Sequence, residues 1–445
     1  MADVRPFRGL RFGPKAGPDL AALLAPPYDV ISPQEQDALH ESDPHNVVRL
    51  ELGKAGPSDS DADNRYSRAK AALDAWLKEG VLLKEDRPSF YLCRHDYTYL
   101  GAKQNRWELL AQVRLAEWDE GVVLPHERTL PEPKVDRMNL LRALEANTSP
   151  IWVIYQDPKG DLRALFHRIA SQRPTFAVPE WRDASFALWA VSDPESVAII
   201  HTFLEPNPLY IADGHHRYET ALSYRNEQRA AKPGYTGEEG FNFVFMTLTS
   251  LTDPGLLVLP IHRLIKDISP ERMDILRREI TTDWQVLGRI SPGPFLEQQL
   301  PKVLTPSEGD IPRFGIYGID PGQVTIITPK SLAALRAALP SSGSEAVRAL
   351  DVTLLHEAFL HGALGIGREP REVEAALAFT HHAREAVDEV DAGRYQIALL
   401  MNPTRVSQII AAAEAGDKMP QKSTFFYPKL PVGLVLSPLE EGRAN

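Results

Sequence analysis

Asp213, Gly214, His215, His216 and Arg217 stand in succession within "LYIADGHHRYETAL". They bring an acid, two imidazoles and a guanidinium around one glycine. The apolar lead-in "PLYIA" reads as a strand. "HRYETALSYRNEQ" reads as a helix with Tyr218, Ala221 and Leu222 on one side. Gly214 permits the positive φ that a tight turn needs. A helix start presents unpaired amide N–H groups and partial positive charge, a ready anion site. Arg217 adds a fork suited to phosphate. His215 and His216 exchange protons near neutral pH. Asp213 would cap the helix, hold magnesium or orient a histidine. The blander alternative is an Asp cap followed by exposed polar residues. A zinc site is a further one, disfavoured because adjacent helix positions point about 100° apart.

Three other segments carry chemistry-bearing residues. "MPQKSTFFYPK" supplies Lys422, Ser423, Thr424 and Lys429, with Lys418 just upstream. Point charges and short hydroxyl donors suit phosphate, but the Walker glycines are missing, so no P-loop is expected. A solvated basic turn before an aromatic strand is the alternative. "LPHERTLPEPKVDR" places His126, Glu127, Arg128, Thr129, Lys134, Asp136 and Arg137 in a Pro-rich loop. Glu127 or His126 would serve as general base if held near a substrate hydroxyl; a charged surface loop is the alternative. In "APPYDVIS", Pro26 and Pro27 fix a bend at Tyr28 and Asp29, either a rigid turn or part of the site. In "VLPIHRLI", His262 and Arg263 end an apolar strand, either as a plain strand terminus or, the preferred reading, as a pocket edge.

Two further histidine pairs are set aside. "HEAFLH" is one residue too long for the metalloprotease pattern, and an α-helix would put His356 and His361 about 140° apart, unable to share a metal. "THHAREAVDEV" places His381 and His382 on the solvated face of an amphipathic helix.

The 445 residues carry a net charge of −11, with 43% apolar and 24% charged residues. This is an ordinary globular balance. An acidic chain without a basic recognition helix argues against nucleic acid as a partner; a small-molecule substrate fits better. Cys93 is the single cysteine, so no internal disulfide or multi-cysteine metal centre is possible. The start of the chain lacks the apolar run of a signal peptide. No run of about 18 apolar residues occurs, so no membrane contact is expected. Together these fit a cytoplasmic protein. No heptads or apolar stripe speak to oligomeric state.

Positioning these residues requires alternating helices and strands. A helix is expected around Ala69–Leu77, a hairpin turning near Gly101, and a helix then a buried strand in "VDRMNLLRALEANTSPIWVIYQD". "GFNFVFMTLTSLTDPGLLVLPIHRLIKD" reads as two strands around a turn. The tail reads as mostly helical with one strand, "RYQIALLMNP". The fold class is α+β or mixed α/β. Four segments are expected: residues 1–157, 158–266 with the DGHHR turn, 267–345 as an α/β insertion, and 346–445.

"IADGHHRYETA", "APPYDVIS", "NVVRLELG", "HERTLPEPKVDRMNLL", "LPIHRLI", "LDVTLLHEAFL" and "MPQKSTFFYPKLPVGLV" together resemble the bacterial and archaeal family called domain of unknown function 1015. The DGHHR core is also similar to the ParB-like free serine kinases of the ParB/sulfiredoxin-like fold. That second resemblance implies a ParB-like central module with N- and C-terminal α/β elaborations. It also implies nucleotide phosphates, ATP or ADP, at Asp213–Arg217, and a catalytic glutamate whose counterpart is Glu127 or, in its place, Asp29. The expectation is a phosphotransferase acting on a small hydroxyl metabolite, free L-serine first. Arg217 and Lys422 would supply charge, Asp213 would bind Mg2+ or position the acceptor, and Glu127 or a histidine would take the proton. A phosphoester hydrolase or a non-catalytic nucleotide sensor would use the same anion site.

Overall fold

"FYLCRHDYTY" and "AKQNRWELLAQVR" form the longest strand pair, Phe90–Tyr99 and Ala102–Arg114. Leu100 and Gly101 join them at φ 48° and 81°, the two left-handed residues that a tight hairpin turn demands. The helix Arg65–Glu79 starts at a reciprocal Asn64/Ser67 capping box and stops at Gly80, φ 77°. It buries Ala69, Leu73 and Trp76 at helical spacing.

The computed structural model describes residues 1–127, 129, 131–305, 311–340, 343–367 and 370–439. Arg128 of the "HERT" segment lies outside them. The chain divides into two units. One comprises Met1–Pro125, Thr129–Leu256 and Pro428–Asn445; the other comprises His126–Arg128 and Leu257–Tyr427.

The first unit is built on a mixed nine-stranded sheet among the described residues. Its order is Val123–Leu124, Leu209–Asp213, Ile151–Tyr155, Phe243–Ser250, Ala102–Arg114, Phe90–Tyr99, Ala184–Val191 and Phe176–Trp181, with Val4–Arg5 added beside Ala102–Arg114. Ile151–Tyr155 runs parallel to Phe243–Ser250, whereas Leu209–Asp213 runs antiparallel to Ile151–Tyr155. The chain is therefore mixed α/β. Every residue of Phe243–Ser250 is buried, as a central strand covered on both faces requires. Helix His215–Ala231 buries Tyr218, Ala221 and Leu222 in the core beside Ile211 and Val153.

The second unit holds a six-stranded sheet in the order Trp284–Ile290, Gln323–Pro329, Phe314–Asp320, Ile397–Leu400, His262–Ile265, Leu377–Thr380. Every pairing in it is antiparallel. Leu257–Leu259 pairs separately with Phe425–Tyr427. Trp284, Phe314 and Phe359 meet with ring centroids 4.7–6.4 Å apart.

Several expectations need correction. Residues on both sides of position 157 share one sheet, because Ile151–Tyr155 hydrogen-bonds to Leu209–Asp213. The chain leaves the first unit at Leu256, ten residues before the expected break at 266. "GFNFVFMTLTSLTDPGLLVLPIHRLIKD" holds three strands, not two. The tail adds Leu377–Thr380 and Phe425–Tyr427 to the expected strand; runs of three or four residues are too short for periodicity to reveal. His262 and Arg263 open their strand rather than end it. His381 and His382 precede the helix Ala383–Asp391, and the His381 ring stacks on Phe425 at 4.4 Å. "HEAFLHGA" winds as a π-helix, His356–Ala363. The wider turn undoes the 140° separation of an α-helix: the His356 and His361 ring centroids are 6.4 Å apart. Among the described residues, no helix is long and apolar enough to cross a membrane.

Candidate functional site

Strand Leu209–Asp213 ends at the acid, and Gly214 turns the chain at φ 97° into helix His215–Ala231. Asp213 is thus the last strand residue and not the cap. Gly214 occupies the cap position, and no side-chain hydrogen bond closes the helix start. A 17-residue helix with that opening is a favourable place for an anion.

Asp213 does a different job. Its Oδ2 accepts from Arg217 Nη2 at 2.6 Å, and its Oδ1 lies 2.9 Å from Lys429 Nζ. Lys429 also donates to Asp29 Oδ2 at 2.6 Å. The four groups form a chain of alternating sign, Asp29–Lys429–Asp213–Arg217. Burial alone would raise the Asp213 carboxyl; Lys429 and Arg217 overcome it and hold the group far below the usual carboxylate range. Burial would likewise lower Lys429, but Asp213 and Asp29 push its ammonium well above its ordinary value. Arg217 is raised in the same way.

Local sequence explains how Asp29 arrives. The "APP" run leads into a short 3-10 turn, Tyr28–Val30, and Ala25 exchanges two backbone hydrogen bonds with Val432. That bridge brings the segment carrying Lys429 beside Asp29. Tyr28 lies under the Arg137 guanidinium, 4.1 Å from ring centroid to Cζ, and burial raises its phenol. Arg137 in turn donates to the Glu51 carbonyl at 3.0 Å. Glu51 is fully buried and takes hydroxyl hydrogen bonds from Thr148 and Ser149. Arg137, Thr148, Ser149 and Arg217 line a cavity of about 50 Å3, room for little more than water.

Further along the helix, Glu219 accepts from Thr129 Oγ1 at 2.6 Å and from Lys134 Nζ at 2.9 Å. Neither Glu51 nor Glu219 stood out in the sequence. Glu219 could have been found, because it lies one turn beyond His215 on the same helix face. His215 is 6% exposed, whereas His216 is half-buried.

The second unit gathers another set. Lys422 has φ 56°, and its N–H donates to Glu127 Oε1 at 3.1 Å. His126 Nε2 pairs with Thr424 Oγ1 at 2.9 Å. The Ser423 hydroxyl donates to the Pro420 carbonyl at 2.5 Å, and Thr404 donates to the Ser423 carbonyl at 2.8 Å. Glu127 thus fills the backbone donor that an anion would otherwise take at this turn. His126 is 1% exposed, so its partner is a neighbouring hydroxyl and not solvent. His262 and Arg263 are 2% and 1% exposed, which makes them support and not pocket edge. Arg263 donates to the Lys422 carbonyl at 2.8 Å. Burial, then Arg263 and His381, carries the His262 ring down to about 3; burial alone lowers Arg263 to about 9.

Tyr28, Asp29, Asp213, Gly214, His215, His216, Arg217 and Lys429 therefore belong to the first unit. His126, Glu127, His262, Arg263, Lys422, Ser423 and Thr424 belong to the second. The family described as "Protein of unknown function (DUF1015)" matches residues 4–353, which take in Asp29, Glu51, Arg137 and the whole Asp213–Arg217 turn. The chain belongs to that family. Lys422–Thr424 and Lys429 lie past the matched span.

Among solved structures, the chain is similar to a free serine kinase in complex with AMP, at 12% identity over 72% of this chain and 90% of that chain, TM-score 0.32. It is similar to a conserved hypothetical protein from Pyrococcus furiosus, at 13% identity over 72% and 94%, TM-score 0.32. SbnI with a C-terminal truncation, from Staphylococcus aureus, is similar at 13% over 74% and 87%, TM-score 0.33. No curated protein matches.

The glycine itself is testable. A Cβ on residue 214 would sit 3.0 Å from Arg217 Nε and Nη2, at a φ that L-residues rarely adopt. Gly214→Ala is expected to lose roughly 1–3 kcal/mol, read as a lower urea midpoint. A variant as stable as the parent would show that the turn does not need its left-handed glycine.

Proposed function

We propose that the chain is a phosphotransferase. It binds the phosphates of ATP or ADP at the start of helix His215–Ala231 and passes a phosphoryl group to a small hydroxyl compound, free L-serine first. The observation that carries this reading is Lys429, clamped between Asp29 and Asp213 in the unit whose helix start bears no side-chain cap. The likeness of the DGHHR motif to the free serine kinases supports the acceptor.

Phosphoryl transfer asks mainly for positioning and charge neutralisation. Lys429 and Arg217 supply the charge, and Asp213 holds both in place. As phosphate oxygens engage the Lys429 ammonium, Asp29 is released to take the proton of the acceptor hydroxyl. The acceptor oxygen bonds to the terminal phosphorus, the bridging P–O bond breaks, and the nucleotide leaves one phosphate shorter. His216, half-buried, stands by as a proton carrier.

Magnesium fits the protein groups poorly. Both Asp213 oxygens are taken by cations. Among the described residues, no three His, Cys, Asp or Glu gather as a metal site. No step here runs through a resident ion.

The test is to incubate the chain with L-serine, magnesium chloride and ATP or ADP, and to follow O-phosphoserine by 31P NMR. Product is expected from the parent, and Asp29→Asn should reduce it by about a hundredfold or more, within the usual range for a lost general base. Inorganic phosphate without phosphoserine would select a hydrolase. Nucleotide binding without turnover would select a sensor.

A further inference from the structure

Asp213 shares its face of the first unit's sheet with other charged groups. Residues directly opposite one another in a sheet lie on the same face. The pairings Asp213 with Trp152, Trp152 with Thr247 and Thr247 with Leu110 carry that face across to the strand Ala102–Arg114. Glu108 and Arg106, two and four places before Leu110, therefore lie on it too. His95 joins them, opposite Arg106.

Arg106 and Glu108 are fully buried, and His95 is 1% exposed. A charge this deep demands a partner. Arg106 Nε donates to Glu108 Oε1 at 2.9 Å. Burial would raise the Glu108 carboxyl, but Arg106 and then His95 hold it below its ordinary value. Burial lowers the His95 ring, which leaves it neutral near pH 7. The cluster thus counts one cation and one anion.

Arg106 reaches beyond this pair. Its Nη2 donates to the Pro428 carbonyl at 2.7 Å, across 322 positions of chain. Its Cζ lies 4.2 Å from the centroid of the Trp152 ring, and that indole is pinned by its own N–H bond to Thr249 Oγ1 at 3.0 Å. One contact grips the residue directly before Lys429. The other rests on the residue opposite Asp213. The two chain segments that bring Lys429 Nζ to within 2.9 Å of Asp213 Oδ1 are therefore both held by one guanidinium. A fork of five N–H donors can serve a carboxylate and a carbonyl together; an ammonium places its donors on a single atom.

Stability alone does not account for such a pair, because apolar side chains of like volume often serve a fold as well. The donor to Pro428 does account for it. We propose that Arg106 is a positioning residue: through the Pro428 carbonyl it fixes where the Lys429 ammonium sits between Asp29 and Asp213, and Glu108 allows a guanidinium to be buried at that place. The consequence for phosphate binding rests on the nucleotide reading above; the placement of Lys429 does not.

The test reads Lys429 directly in the full chain. Acetylation by sulfosuccinimidyl acetate, mapped by peptide mass spectrometry, reports how firmly the ammonium is held, since an amine clamped between two carboxylates reacts slowly. The double variant Arg106→Met/Glu108→Leu replaces both charges by apolar side chains of like volume, so a parent-like circular dichroism spectrum is expected. Its Lys429 should be acetylated about tenfold or more faster, and its ADP affinity should fall about tenfold, as for a charge moved out of place. Glu108→Gln keeps the fork and its bond to Pro428, so Lys429 should stay protected even as the urea midpoint falls. Arg106→Lys, which leaves a cation beside Glu108 without the fork, takes the place of the double variant if the latter does not fold. A folded variant lacking the fork whose Lys429 reacts at the parent's rate overturns the proposal. So does Glu108→Gln if it unmasks Lys429 as much as the double variant does. Faster acetylation in the double variant of a chain that binds no ADP and makes no phosphoserine would leave the placement standing and count against the kinase reading alone.

Discussion

Lys429→Met is expected to weaken nucleotide binding and to destabilise the first unit at once. The substitution keeps the length of the side chain and deletes its charge. Asp213 would then face Arg217 alone, and Asp29 would have lost its cation. Breaking a fully buried pair costs roughly 3–5 kcal/mol. Lys429, Asp213 and Asp29 are 13%, 24% and 37% exposed, so solvent screens part of the effect, and roughly 2–3 kcal/mol is the fitting expectation. Loss of a charge-assisted contact to phosphate removes a further roughly 1.5–3 kcal/mol of ADP affinity, on the order of tenfold to a hundredfold. Calorimetry and urea melts read the two effects separately. Lys429→Arg should recover stability ahead of binding, because a guanidinium can bridge two carboxylates but places its donors differently. Parent-like ADP affinity in the methionine variant would remove Lys429 from the site.

Acid is the second strong lever. Burial, with Arg263 and His381, takes His262 down to about 3, and burial, with His382, takes His381 to about 4. His356 is also held well below its ordinary value. In the unfolded chain these rings protonate near 6.5. Between that value and 3–4 the unfolded state binds more protons, so stability falls as pH falls. The contribution is whole above about pH 6.5 and drains away towards pH 3. By pH 4 the second unit should have lost on the order of 5 kcal/mol, counting the rings as partly coupled. The Asp213 pair adds nothing to this loss above about pH 4, because its carboxyl stays ionised there. His262 Nδ1 accepts from Met401 N at 3.3 Å, a role that a glutamine oxygen can keep without titrating. His262→Gln should therefore flatten the decline in denaturation midpoint between pH 6.5 and 4.5. Parallel declines in parent and variant would clear His262 of the effect.

Local chemistry was readable in advance, and long-range pairing was not. The strand, bend and helix around Gly214 were legible because apolar lead-in, glycine and helical spacing are contiguous. The turn near Gly101 was legible for the same reason. What Asp213 does was not, since its second partner is Lys429, more than two hundred positions later. Asp29 and Lys429 are separated by 400 residues, and no pattern along the chain marks such a pair. Arg263 looked like the rim of a pocket because a charge near an apolar run suggests an edge; tertiary packing instead buried it under the Lys422 turn. The π-helix was misjudged because helical spacing presumes 3.6 residues per turn. One extra residue per turn realigned His356 with His361.

The last described stretch of the chain, from Pro428, belongs to the unit begun by the first residues: Val432 bridges Ala25, and Leu436 bridges Leu10. During synthesis those residues leave the ribosome after the whole of Leu257–Tyr427. Until they do, Asp29 and Asp213 have no ammonium between them, and the first unit is completed only after some 170 residues of the other unit are made. A chain cut short of Lys429 therefore lacks the ammonium that joins Asp29 to Asp213.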